Sequence, residues 1–135
     1  MRPTRRDIIR LAGTGLTAGA FQSASAAAST QSQTEKLIRL LGAPRSAEAI
    51  GQVYLIAQGS TGPTLAALWR GVLGALQLDA AALQRGDSNA LKRRLRARIR
   101  QDFAERNVVN VDGWILSRVE TEICAIACLT AESRS

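Results

Sequence analysis

Apolar positions along this chain recur at the period of a helix over most of its length and switch to the period of a strand only once. Ile50, Val53, Tyr54 and Ala57 fall at helical spacing, as do Leu65, Leu68, Trp69, Val72, Leu73 and Leu76. The second set is the broadest apolar face in the chain. Leu91, Leu95, Ile99 and Phe103 repeat every fourth residue, so they share one side of a helix and drift by about 40° per step. Then the period shortens. Val108-Val109-Asn110-Val111 is β-prone, Asp112-Gly113 is a type I′ turn signal, and Trp114-Ile115-Leu116 can form the return strand. The helical period resumes with Val119, Ile123, Ile126 and Ala127.

Punctuation residues mark the ends of these elements. Thr34 is expected to cap a short helix over 35–41 that Gly42 and Pro44 end, and Ser46 to cap a second over 47–58. Gly59 to Gly62 reads as a loop, with Pro63 at the first position of the third helix. Asp79 caps a brief turn of helix that ends near Gly86. Asp87 or Ser88 starts a long helix to about Arg106. Ser117-Arg118-Val119-Glu120 has the S-x-x-E pattern of a capping box. The expected architecture is mainly α, a small bundle of about four to five helices with one short β-hairpin before the last helix. A lone hairpin is marginal, so it must pack on the helices, and Trp114 is its expected anchor.

The first thirty residues carry a different pattern. A basic start with Arg2, Arg5, Arg6 and Arg10 precedes a glycine-diluted apolar run from Ile8 to Phe21. That run is shorter than the roughly 20 apolar residues a bilayer span needs. Small residues follow, and Ala24, Ala26 and Ala28 offer two overlapping A-x-A cleavage sites. The layout is that of a secretory signal peptide over 1–28. A polar tether over 29–33 and a single small helical domain over 34–135 would follow. Thr4-Arg5-Arg6-Asp7-Ile8-Ile9-Arg10 resembles the twin-arginine (Tat) signal, with Ile8 and Ile9 in its apolar slots and Arg10 in place of the usual lysine. The competing reading is an N-terminal amphipathic helix, which suits this glycine- and alanine-rich run poorly. The resemblance implies the Tat translocation machinery as a partner, folding before export and a periplasmic destination.

Composition narrows the chemistry. The formal charge of +7 falls to +4 without the leader, which holds four arginines and one aspartate, so the basic balance belongs partly to the leader. No histidine occurs. His-metal sites, Ser-His or Cys-His pairs and C-x-x-C-H haem attachment are therefore excluded. No Gly-rich phosphate cradle is present. No cofactor is expected.

Four features remain as candidate sites. Cys124 and Cys128 lie at i and i+4 on the last helix. They read as two small buried hydrophobes, or as a disulfide or thiol pair, although helical geometry fits a disulfide badly and the spacing is not C-x-x-C. Lys92, Arg93, Arg94, Arg96, Arg98 and Arg100 form the densest charge run. This run could be a solvated face with Arg98–Asp102 as a weak pair, a docking surface for an acidic partner, or a binder of anionic lipid. Export and the lack of interleaved aromatics argue against nucleic acid. Asp112 and Glu120 could act as an acid–base pair across the turn. The plainer account makes Asp112 a turn former, Glu120 a capping-box acceptor and Glu122 an exposed charge. Trp114, if not buried, would be an aromatic hot spot for a partner.

The stretch NVVNVDGWILSRVETEICAIA, with IRQDFAERN before it and the earlier AIGQVYL, resembles uncharacterised small Tat-signal proteins of proteobacteria. That resemblance implies no activity and no catalytic residues. Size, leader and absent cofactor motifs are also similar to the small Tat-signalled third subunits of periplasmic sugar and gluconate dehydrogenases, which accompany a larger catalytic subunit. The expectation is a non-catalytic, Tat-exported periplasmic protein acting as accessory subunit or escort of a larger exported enzyme of the oxidoreductase type. Two alternatives stay open: a periplasmic thiol redox protein using Cys124 and Cys128, and an envelope protein making peripheral membrane contact through the basic helix 92–100.

Overall fold

The last helix is the axis of the domain. Its residues Ile123, Cys124, Ala125, Ile126, Ala127 and Cys128 are buried in unbroken succession, so the helix is covered on every side at that level. The computed structural model describes residues 31–134. The expected leader over 1–28, with its motif Thr4 to Arg10 and its cleavage residues, lies outside the described residues. Residues Gln33–Ser135 form one compact unit.

In chain order the described elements are α1 (31–41), α2 (Pro44–Gln58), a 3-10 turn (Gly59–Thr61), α3 (Leu65–Leu76), α4 (Ala80–Arg85), α5 (Ser88–Ala104), β1 (Val108–Val111), β2 (Trp114–Ser117) and α6 (Arg118–Arg134). This is the expected mainly-α bundle with one hairpin before the final helix. Helices α2, α3 and α5 pack around α6, with the hairpin against its N-terminal end. Leu37 and Leu40 of α1 join Leu68, Val72, Leu83, Leu91, Leu95, Ile123 and Ile126 in the main core. Burying each such aliphatic side chain stabilises the fold by roughly 1.5–3 kcal/mol.

Helix α2 crosses α6 at its closest point through Gly51. A Cβ built on Gly51 would fall on the carbonyl oxygen of Cys124, so only glycine lets the two backbones approach there. This crossing rotates α2 relative to its expected face. Ala47 and Gly51 are buried and Tyr54 and Leu55 pack on the core, whereas Val53 and Ala57 point outward. The apolar residues of α2 are therefore a poor guide to its buried side, because the contact is set by its smallest residues.

Several boundaries also move. Residues 31–33, expected as a tether, are already helical, and Thr34 is a buried residue within α1 rather than its cap. Gly42, at φ +82°, ends α1, but Pro44 opens α2 as its first residue, where a missing N–H costs nothing. Ser46 thus lies inside α2. Thr64, not Pro63, starts α3: its side chain accepts a hydrogen bond from the Ala67 amide at 3.1 Å. Asp79 and Asp87 cap α4 and α5 as expected. The ammonium of Lys36 closes α4 at its other end, donating to the carbonyls of Gln84 at 2.7 Å and Gly86 at 2.8 Å.

The every-fourth-residue ladder on α5 explains a further departure. Leu91 and Leu95 are buried, Ile99 is half-buried and Phe103 is exposed. The drift of about 40° per step carries the fourth rung out of the core. Asp102 lies seven residues after Leu95, within about 20° of the same direction, and it is buried in Phe103's place.

Candidate functional site: an arginine–carboxylate cleft and an exposed hairpin

Asp102 has no solvent exposure, and its carboxylate collects donors from three parts of the chain. Arg98 reaches Oδ1 from one turn earlier, through Nε at 2.9 Å and Nη2 at 2.7 Å. Asn107 Nδ2 donates to the same oxygen at 3.3 Å. Oδ2 accepts the backbone N–H of Val119, in the first turn of α6, at 3.1 Å. A buried carboxylate is tolerable only when paired and hydrogen-bonded in this way. The pair expected as a weak surface contact is thus a buried junction.

The same junction completes the start of α6. Its first three amides have no partner inside the helix. Arg118 N–H donates to the Asn107 carbonyl at 3.0 Å, Val119 to Asp102, and Glu120 to Ser117 Oγ at 3.2 Å. Glu120 Oε2 accepts the Ser117 amide in return, at 3.1 Å, which closes the expected capping box. The negative charge of Asp102 also sits at the positive end of the α6 dipole. Glu120 is therefore committed to a backbone amide, while Asp112 lies in the exposed turn with φ +50°. Each has the structural role that the plainer account gives it.

Beside this junction a cleft of about 460 Å³ opens between α3 and the α5–α6 side. Ala67, Gly71 and Ala75 of α3 line one wall, Arg98, Arg118 and Glu122 the other, and Tyr54 also borders it. Arg118 Nε donates to Glu122 Oε1 at 3.1 Å. The Glu122 carboxylate lies over Gly71, where an added Cβ would come within 2.6 Å of Oε2. Burial against α3 raises the Glu122 pKa from its ordinary value; Arg118 opposes that rise and Asp102 adds to it. Glu122 was expected to be an exposed charge and is instead partly desolvated. Asp102, Asn107 and Glu122 escaped sequence reasoning as a group. The one legible signal was that Asp102 shares the helical direction of Leu91 and Leu95.

The hairpin projects from this base. Register pairs Val111 with Trp114 and Val108 with Ser117, leaving Asp112 and Gly113 as a two-residue turn with φ +50° and +88°. That is the positive-φ pair a type I′ turn requires. Asn110 Oδ1 accepts the Gly113 amide at 2.8 Å and stiffens the tip. Ser117 at the base is buried, yet Trp114 is 76% exposed and Ile115 is 51% exposed. Trp114 is therefore not the anchor. The hairpin is held at its base through Asp102, Asn107 and the capping box and, next to the turn, by the buried Val111, while the Trp114 side chain stays outside. Trp114 lines an apolar hollow of about 240 Å³ together with Ile50, Val111 and Leu116. The packed tryptophan is Trp69, which lies against the core.

The six cations of the basic run divide by role. Arg94 Nη1 donates to the carbonyls of Leu76 at 3.0 Å and Gln77 at 3.2 Å, closing the C-terminal end of α3, where Gln77 adopts a left-handed conformation with φ +54°. Arg98 belongs to Asp102. Lys92, Arg93, Arg96 and Arg100 are exposed.

Cys124 and Cys128 are both buried free thiols. Burial pushes the Cys124 thiol up to about 12, with the Glu120 charge adding to the shift, and burial likewise raises Cys128, helped by Glu132. The thiolate needed for nucleophilic or redox chemistry is disfavoured at both. Among the described residues no group of three or more potential metal ligands converges, and no helix is long and apolar enough to cross a membrane. Compared with protein-family models, with curated proteins and with solved structures, the chain matches none.

Proposed function

We propose that this chain is a small, non-catalytic protein exported by the twin-arginine route, working in the periplasm as an accessory subunit or escort of a larger exported enzyme of the oxidoreductase type. The observation that carries the partner reading is the hairpin. A tryptophan and an isoleucine stand in water at its tip, while its base is tied to α5 and α6 by a buried carboxylate. Exposed aromatics of this kind, next to an apolar hollow, anchor protein interfaces. Support for export comes from the Thr4–Arg10 pattern, the apolar run after it and the A-x-A residues Ala24, Ala26 and Ala28.

Affinity purification of the exported form from its host, followed by mass spectrometry, tests this reading. A stoichiometric larger partner is expected. A monomer with no such partner overturns it. Contact with an anionic envelope surface is a second reading, favoured by the exposed Lys92, Arg93, Arg96 and Arg100. A thiol function through Cys124 and Cys128 draws less support, given their burial and raised pKa values.

A further inference from the structure

We propose that the outer face of α5 is a docking surface for an acidic helix of a partner protein, with Lys92, Arg93, Arg96 and Arg100 as its contacts. The inference rests on the partner reading above and adds to it a second contact of defined chemistry, separate from the hairpin.

The fold uses two of the six cations in the basic run. Arg94 closes α3 and Arg98 satisfies Asp102, so both are engaged inward. The other four make no ion pair or hydrogen bond among the described residues. Lys92, Arg96 and Arg100 follow one another at i, i+4 and i+8, rising about 6 Å and turning about 40° per step, with Arg93 on the same side. No acid shares that side of the helix: Asp102 points to the core, and Glu105 lies near the opposite flank, where it accepts from Gln101. Four unneutralised cations in a row lower the stability of an isolated helix face, since like charges at this spacing repel. They suit a surface that meets negative charge.

The shape of the row selects the partner. A helix bearing carboxylates at every fourth residue places them at the same spacing and can meet the cations one for one. Three of the four are arginines, whose forked guanidinium takes a carboxylate through two bonds. A membrane fits less well. An amphipathic helix on a bilayer buries its apolar face in the lipid, but the apolar face of α5, Leu91 and Leu95, is already inside this protein. Among the described residues of α5, Phe103 is the one large apolar side chain exposed on the outer side, and it stands at the end of the row.

The test uses the full chain and a defined probe, a helical peptide with glutamate at every fourth position. A second peptide has the same composition with its glutamates scattered around the helix. Vesicles of phosphatidylglycerol form a third arm. The row peptide should bind, and R96E/R100E should weaken it by at least about tenfold. R39E/R70E makes an equal change in net charge at exposed sites on other helices and should cost less than about threefold. Leader arginines are common to all these chains, and circular dichroism checks that each variant is folded. Equal binding of the two peptides, equal loss in both double variants, or tighter binding to vesicles than to the row peptide would each overturn the proposal. The peptide assay needs no natural partner. Its failure while a partner still co-purifies removes the acidic-helix contact alone. Peptide binding without any co-purifying partner removes the accessory-subunit reading alone.

Discussion

Two arginine–carboxylate pairs stand beside the same cleft at the same i,i+4 spacing, and they do different work. In Arg98–Asp102 the carboxylate side chain is 1% exposed and also receives Asn107 and an amide of α6. In Arg118–Glu122 the arginine side chain is 60% exposed, and the carboxylate has one partner plus a close neighbour in Gly71. Spacing alone makes them equivalent. Burial and the number of donors separate them. Asp102 joins α5, the hairpin base and α6 into one body, whereas Glu122 is a charge pressed against α3 with incomplete compensation.

Substitution at Asp102 should have the largest effect. D102A leaves Arg98 without its partner and the Val119 amide unmet inside the protein, and it is expected to cost about 3–5 kcal/mol in urea denaturation. A loss under about 1 kcal/mol would place Asp102 with the surface pairs.

A matched glycine pair tests backbone against side chain as the neighbour across a helix contact. At Gly51 an added methyl meets the rigid backbone of α6, so G51A should lose about 3 kcal/mol by overpacking. At Gly71 it meets the end of the flexible Glu122 side chain, which can swing into the cleft. G71A should then be neutral or gain up to about 1 kcal/mol from the better helix propensity of alanine. Equal losses at both positions would mean that Glu122 is held as firmly as backbone.

A small, pH-dependent stability change is expected at Glu122 itself. Its pKa in the fold is raised, so its contribution is favourable below its ordinary value of 4.5 and is lost as pH rises through the folded value. In E122Q that loss disappears. The variant should be slightly more stable than the parent at pH 7, by less than about 1 kcal/mol, and should approach it near pH 4. The opposite trend, with E122Q weaker at pH 7 than at pH 4 relative to the parent, would show that Arg118 outweighs burial.

These contrasts also mark how far the sequence could be read. The hairpin, its Asp112-Gly113 turn and the Ser117–Glu120 capping box were legible because each is a local contract between a few adjacent residues. The inward face of α3 was legible because six large apolar residues agree on it. The face of α2 was not, because the crossing at Gly51 is chosen by the absence of a side chain and by where α6 happens to pass. Asp102 was not legible because its partners Asn107 and Val119 lie in other elements, and Trp114 was not because the hairpin is attached by polar groups at its base and by Val111 rather than by its largest side chain. Separating the structural Arg94 and Arg98 from the free Lys92, Arg93, Arg96 and Arg100 likewise needed the positions of α3 and Asp102.

The fold fixes the hairpin through its polar base and the buried Val111 and leaves Trp114 outside, exposed for a partner. The most direct measurement compares capture of exported protein by wild type and W114A, with unfolding curves run in parallel. Trp114 is 76% exposed, so W114A should keep its stability to within about 0.5 kcal/mol and lose the stoichiometric partner. Retention of the partner by W114A, or a large loss of stability with the partner unchanged, would contradict that role.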